Sequence, residues 1–159
     1  MKSIEALLEP FVGYLDLGMF VEADEELENL PVEVKNLPAV LHARLALLVE
    51  MAQWKKGVTL GRKAIKLHPE EFEFYFKTAY CLHELKQTDK AKATLAGAPE
   101  EIREEALYCY NLACYETQLG HLEEAKQLLK ACFKKDPRFR EESQDDPDLE
   151  PLRGYLSKI

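Results

Sequence analysis

The chain has 159 residues, of which 47% are hydrophobic, enough for one compact domain or one short repeat array and too apolar for a wholly disordered chain. Its 29 acidic residues outweigh 21 basic ones, for a formal charge of -8. That balance opposes non-specific attraction to nucleic acid or anionic lipid and argues against a dedicated nucleic-acid binder.

Residues 1–20, MKSIEALLEPFVGYLDLGMF, look apolar, but Glu5, Glu9 and Asp16 interrupt them, and the basic start and small-residue cleavage site of a signal peptide are missing. The segment is read as part of the fold. No stretch approaches the roughly 20 consecutive apolar residues of a spanning helix, so no membrane insertion and a cytoplasmic location are expected. Pro10 falls inside the first helical pattern and Pro31 cuts the second short. A Leu-rich helix follows, then one that Trp54 opens and Pro69 ends. The next pair closes at Gly97-Ala98-Pro99, after a second helix of about two turns.

The clearest pattern is Asn111 to Pro137, NLACYETQLGHLEEAKQLLKACFKKDP. Asn111 to Leu119 carries an apolar, small-residue face, Gly120 ends it, and Leu122 to Phe133 resumes at helical spacing until Asp136-Pro137 stops it. Such a hairpin cannot bury its own apolar face, so copies of it are expected alongside. Steps of 34 residues back from Gly120 reach Lys86, Ala52 and Gly18, all between helix and partner helix. The same steps from Ala125 reach Ala91, Gly57 and Ala23, a column of very small residues at one point of each second helix. Two helices approach closely only where side chains are small. From Ala113 the column is looser, Ala79, Leu45 and Phe11, and Pro137 finds a counterpart in Pro69.

At these residues the chain resembles the tetratricopeptide repeat family. The resemblance implies an all-α fold, a right-handed superhelical α-solenoid of helix-turn-helix repeats with a C-terminal capping helix. Four units are read without insertion, residues 4–37, 38–71, 72–105 and 106–139, followed by an acidic linker and capping helix over 140–159. The fourth unit fits best, through Leu112, Ala113, Gly120, Ala125 and Pro137. It departs at Glu116, where an aromatic residue is usual, although Tyr115 is adjacent. In the tail, Leu149, Leu152, Tyr155, Leu156 and Ile159 fall at helical spacing and suit a cap. The acidic run from Glu141 to Glu150 is read as a solvated loop.

Charge is uneven along the chain. Residues 1–37 carry a formal -7 and residues 38–71 a formal +3. Lys55, Lys56, Arg62, Lys63 and Lys66 crowd the second helix of the second unit, next in the stack to Glu22, Asp24, Glu25, Glu26 and Glu28. Pairing between these neighbouring helices is expected. The other reading is that the opposite-sign patches orient an acidic or basic partner, or a second copy in a homodimer through the acidic first and basic second repeat.

In the family the first helix of each unit faces a concave groove. That resemblance names Leu8 and Val12, then His42, Ala46 and Val49, then Phe76, Lys77, Tyr80 and His83, then Tyr110, Asn111, Cys114 and Thr117 as the peptide-binding groove. This aromatic and apolar set suits an extended peptide or amphipathic helix from another protein, with Lys77 and Asn111 as polar points. Relatives that dock the acidic C-terminus of heat-shock chaperones carry asparagine near the ninth position of their first two units, and here those positions are Val12 and Ala46. That clamp is not reproduced. A small secretion-type chaperone holding an apolar client, and a self-assembling structural adaptor, are the alternatives.

Catalysis finds no support. His42, His68, His83 and His121 show no HExxH spacing, GxSxG and GxxxxGK[ST] are missing, and His83 and Glu84 point to different sides of a helix. Cys81, Cys109, Cys114 and Cys132 lie in helical patterns with no CxxC pair, which predicts reduced, packed thiols rather than disulfides or a zinc site. The expectation is a non-catalytic interaction scaffold with no cofactor and no metal.

Overall fold

The computed structural model describes residues 2–159, and no strand occurs among them. Eight helices form four hairpins: α1 (Ile4–Asp16) with α2 (Phe20–Glu28), α3 (Pro38–Glu50) with α4 (Trp54–Leu67), α5 (Phe72–Glu84) with α6 (Thr88–Ala96), and α7 (Ala106–Gln118) with α8 (Leu122–Lys135). The tail adds α9 (Phe139–Asp145), a 3-10 segment over Pro147–Leu152 and α10 (Arg153–Leu156). The first helices start at residues 4, 38, 72 and 106 and the second at 20, 54, 88 and 122, so a 34-residue step superposes every start. The result is an α-solenoid of helical repeats. No helix among the described residues is long and apolar enough to cross a membrane.

Each hairpin turns through the same backbone device. Gly18, Ala52, Lys86 and Gly120 all have positive φ, at 69°, 52°, 60° and 85°. The amide of the next residue reaches back to a carbonyl in the last turn of the helix, as in Met19 N to Tyr14 O at 2.9 Å, Gln53 N to Leu48 O at 2.8 Å, Gln87 N to Leu82 O at 2.9 Å and His121 N to Glu116 O at 2.8 Å. These are Schellman caps, which satisfy carbonyls that a helix end leaves without partners. Only glycine takes that conformation without steric cost.

The column of small residues lies where the helices meet. Ala23, Ala91 and Ala125 are wholly inaccessible and Gly57 is buried. A Cβ on Gly57 would stand 2.6 Å from Cys81 Sγ, and one on Gly61, a turn later, would overlap Thr78 Oγ1. Glycine thus lets α4 sit directly on α5. Buried apolar residues form one large cluster from Val58 to Leu156, a smaller one around Phe11, Leu27 and Leu47, and a third around Leu45 and Phe74 between them.

α1 runs unbroken with Pro10 inside it. Two local expectations meet a different outcome. The tail is not a single capping helix, because Pro151 lacks an amide proton and blocks an α-helix there, leaving a 3-10 turn before α10. Nor is the acidic run a solvated loop, since Phe139–Asp145 is helical and Asp146 and Asp148 are half-buried against the hairpins.

Candidate functional site

Helices α3, α5 and α7 each give side chains to one shallow groove. Ala46, Val49 and Glu50 from α3, Phe76, Lys77 and Tyr80 from α5 and Asn111 from α7 enclose a cavity of about 260 Å³. Tyr80 is 42% exposed, and Trp54 meets its ring edge-on at 5.7 Å. Lys77 Nζ lies 4.0 Å from Glu73, one helical turn back. Burial raises the Tyr80 phenol above its ordinary range, and Glu84 and Asp148 add to the effect, so its hydroxyl stays protonated and able to donate.

Beyond Tyr80 the groove is already filled, and the filling is the chain's own tail. The Tyr110 hydroxyl donates to Asp146 Oδ2 at 2.7 Å, and Gln118 Nε2 donates to the Asp148 carbonyl at 2.7 Å. His83 Nε2 stands 3.0 Å from Asp148 Oδ2, while its Nδ1 lies 3.0 Å from Thr88 Oγ1. Asp146 also caps its own segment, accepting from the Asp148 amide at 2.9 Å with Pro147 at the first position of the turn. Leu149, Leu152 and Leu156 are buried beneath this polar latch. Fully burying a leucine is worth roughly 1.5–3 kcal/mol, so the three anchors hold the tail firmly.

The thirteen residues assigned to the groove therefore fall into groups. Ala46, Val49, Phe76, Lys77, Tyr80 and Asn111 come together around the open cavity. His83, Tyr110, Cys114 and Thr117 are buried, the first three in contact with the tail and Thr117 bonded to the Ala113 carbonyl at 2.8 Å. His42 stacks on Phe74 with ring centroids 4.0 Å apart and its Nε2 3.3 Å from Glu71. Leu8 packs into the N-terminal cluster, and Val12, 49% exposed, shares a face of α1 with Glu9 and Asp16, apart from the residues that enclose the cavity. Glu50, Gln118, Asp146 and Asp148 were not assigned to the groove from the sequence. The Asp-Pro-Asp-Leu run was the available signal, because it reads as a capped turn start followed by an apolar anchor.

Two further groups bear on chemistry. Cys114 Sγ and one oxygen each of Asp146 and Asp148 lie within 4.8 Å of one another, but the Tyr110 and His83 contacts already engage both carboxylates. The set works as a latch for the tail. All four cysteines are free and buried. Burial pushes the Cys81 thiol up to about 11 and, with Cys109 adding, that of Cys132 to about 12; at Cys114 burial and then Asp146 push it further in the same direction. Thiols held this way are poor nucleophiles.

The pairing expected between the acidic second helix and the basic fourth does not form among the described residues. Glu28 instead binds Arg44 of α3 at 2.7 Å and Lys35 at 3.6 Å. The reason is packing, since α2 leans on α3 rather than on α4.

A row of helical hairpins sharing one aromatic and apolar groove is a protein-interaction scaffold. Residues 60–93, from within α4 through α5 into α6, match the model of the family described as "Tetratricopeptide repeat". The match spans one 34-residue repeat length of the chain. Its fold is shared with "MamA 41-end from Desulfovibrio magneticus RS-1" at a TM-score of 0.77 and 20% identity, over 96% of this chain and 82% of that one. "MamA MSR-1 C2" is similar at 0.70 and 22%, over 86% and 79%. The thermophilic TPR protein TTC0263 of Thermus thermophilus is similar at 0.73 and 17%, over 99% and 83%. No curated protein matches the chain.

Proposed function

We propose that this protein is a non-catalytic adaptor that holds a short extended or helical segment of another protein in the open half of the groove, in the cytoplasm. The observation that carries the reading is the accessible floor of Val49, Phe76 and Tyr80 with Lys77 and Asn111 beside it. Aromatic anchors in a concave site with a few polar points are what binding surfaces of this kind use. The repeat units are 4–37, 38–71, 72–105 and 106–139, with 140–159 as the cap that closes the C-terminal half. A photo-crosslinking residue in place of Tyr80, compared with one in place of Arg62 on α4, tests the site. Partner peptides joined selectively at position 80 support the groove, and equal or preferential capture at position 62 removes it.

A homodimer is a second reading, favoured by Glu22, Asp24, Glu25 and Glu26 of α2 and the cations of α4, which pair with nothing among the described residues. Sedimentation at low and high salt tests it, because exposed charges are screened over about 8 Å at physiological ionic strength. A monomer under both conditions at high concentration rules it out.

A further inference from the structure

We propose that a second interaction surface lies outside the groove, in the crevice between α2 and α4, and that it takes an acidic amphipathic segment of a partner protein. The crevice has a volume of about 570 Å³, larger than the open groove. Its walls come from α2, α3 and the first ten residues of α4, and it is open because α2 leans on α3 rather than on α4. Leu48, Met51 and Leu60, all half-buried, form its floor.

Lysines form its rim. Lys55, Lys56 and Lys63 are exposed and line the crevice, and none has a carboxylate within ion-pair distance among the described residues. On the opposite wall Arg44 and Glu28 neutralise one another at 2.7 Å, which leaves Asp24 as the single opposing charge among the lining residues. The rim is therefore net positive on a chain whose formal charge is -8. Lys55 and Lys63 are separated by about 12 Å along the helix axis, too far for one small anion to bridge. Carboxylates two helical turns apart, with leucine-like side chains between them, match both the rim and the floor.

A second copy of this chain fits less well. The outward side of α2 offers Asp24, Glu25 and Glu28, but Val21 is its one exposed large apolar residue, because Leu27 is buried within its own hairpin. It matches the charge and leaves the floor uncovered.

The test titrates the full chain into a fluorescein-labelled amphipathic peptide of about 15 residues, long enough to favour a helix. The peptide carries leucine on one face and glutamate at i and i+7, and anisotropy is read at about 50 and about 300 mM salt. The expected result is saturable binding that weakens at the higher salt, falls about tenfold or more in Lys55→Glu/Lys63→Glu, and is unchanged in Phe76→Ala/Tyr80→Ala. A helical circular dichroism signal checks the fold of each variant. The proposal is overturned by no binding up to about 1 mM, by equal binding of a glutamine-for-glutamate peptide, by an indifferent charge-reversed chain, or by loss in the groove variant instead. A salt-sensitive dimer that Lys55→Glu/Lys63→Glu dissolves would assign the crevice to a second copy and overturn it too.

Discussion

Ala52 and Lys86 occupy a backbone region that Gly18 and Gly120 occupy freely at the equivalent turns. A side chain there costs roughly 1–2 kcal/mol, part of which the greater freedom of an unfolded glycine gives back. Ala52→Gly and Lys86→Gly should each stabilise the chain by up to about 1 kcal/mol, read as a higher urea midpoint at constant slope. Gly120→Ala should do the reverse. Glu116 carries the opposite lesson, since the family pattern wants an aromatic there and the structure has a carboxylate 5% exposed. It lies 2.6 Å from both Lys92 and His121, so it ties α6 and the α7–α8 turn together. Burial works to raise its pKa, but the Lys92 and His121 hydrogen bonds outweigh it and the carboxyl is held below its ordinary value of 4.5. Its stabilisation is then fully present above that value and lost as pH falls through the lower folded one. Glu116→Gln should cost about 1.5–3 kcal/mol near neutral pH and flatten the acid limb of a stability-against-pH curve. The turn column was legible in the sequence because backbone geometry repeats with the period. The Glu116 pairing was not, because its partners lie 24 and 5 residues away on other elements.

Between elements, α4 and α5 are held at a distance that glycine sets. Thr78 turns its hydroxyl onto the Phe74 carbonyl at 2.6 Å and fills the space beside Gly61. Gly61→Ala should destabilise by about 1–3 kcal/mol through overpacking, although alanine is the better helix former by about 1 kcal/mol. Gly61→Ala/Thr78→Ala should recover much of the loss, and a double-mutant cycle by chemical denaturation measures the coupling. The small-residue column made Gly57 legible. It could not reveal Gly61, whose counterparts at the 34-residue step are the large residues Leu27, Leu95 and Leu129. The tail was legible as a cap from its leucine spacing. Its path along the groove was not, because that depends on Asp146 and Asp148 meeting Tyr110 and His83 across 36 and 65 residues.

At the scale of the whole molecule, the helix periods determined the architecture and left the surface to be divided by contacts the sequence does not display. One end of the groove is closed by the chain itself and the other remains open around Phe76 and Tyr80. Trp54, the single tryptophan, touches Tyr80 and so reports on the open end. The most direct measurement is a titration of the segment captured at position 80 into the intact chain, followed by Trp54 emission and repeated with Phe76→Ala/Tyr80→Ala after its helical signal is checked. The account predicts a saturable emission change and binding weakened about tenfold or more in the variant, the scale expected for truncating aromatic anchors. Unchanged emission with equal affinity for both chains would contradict it.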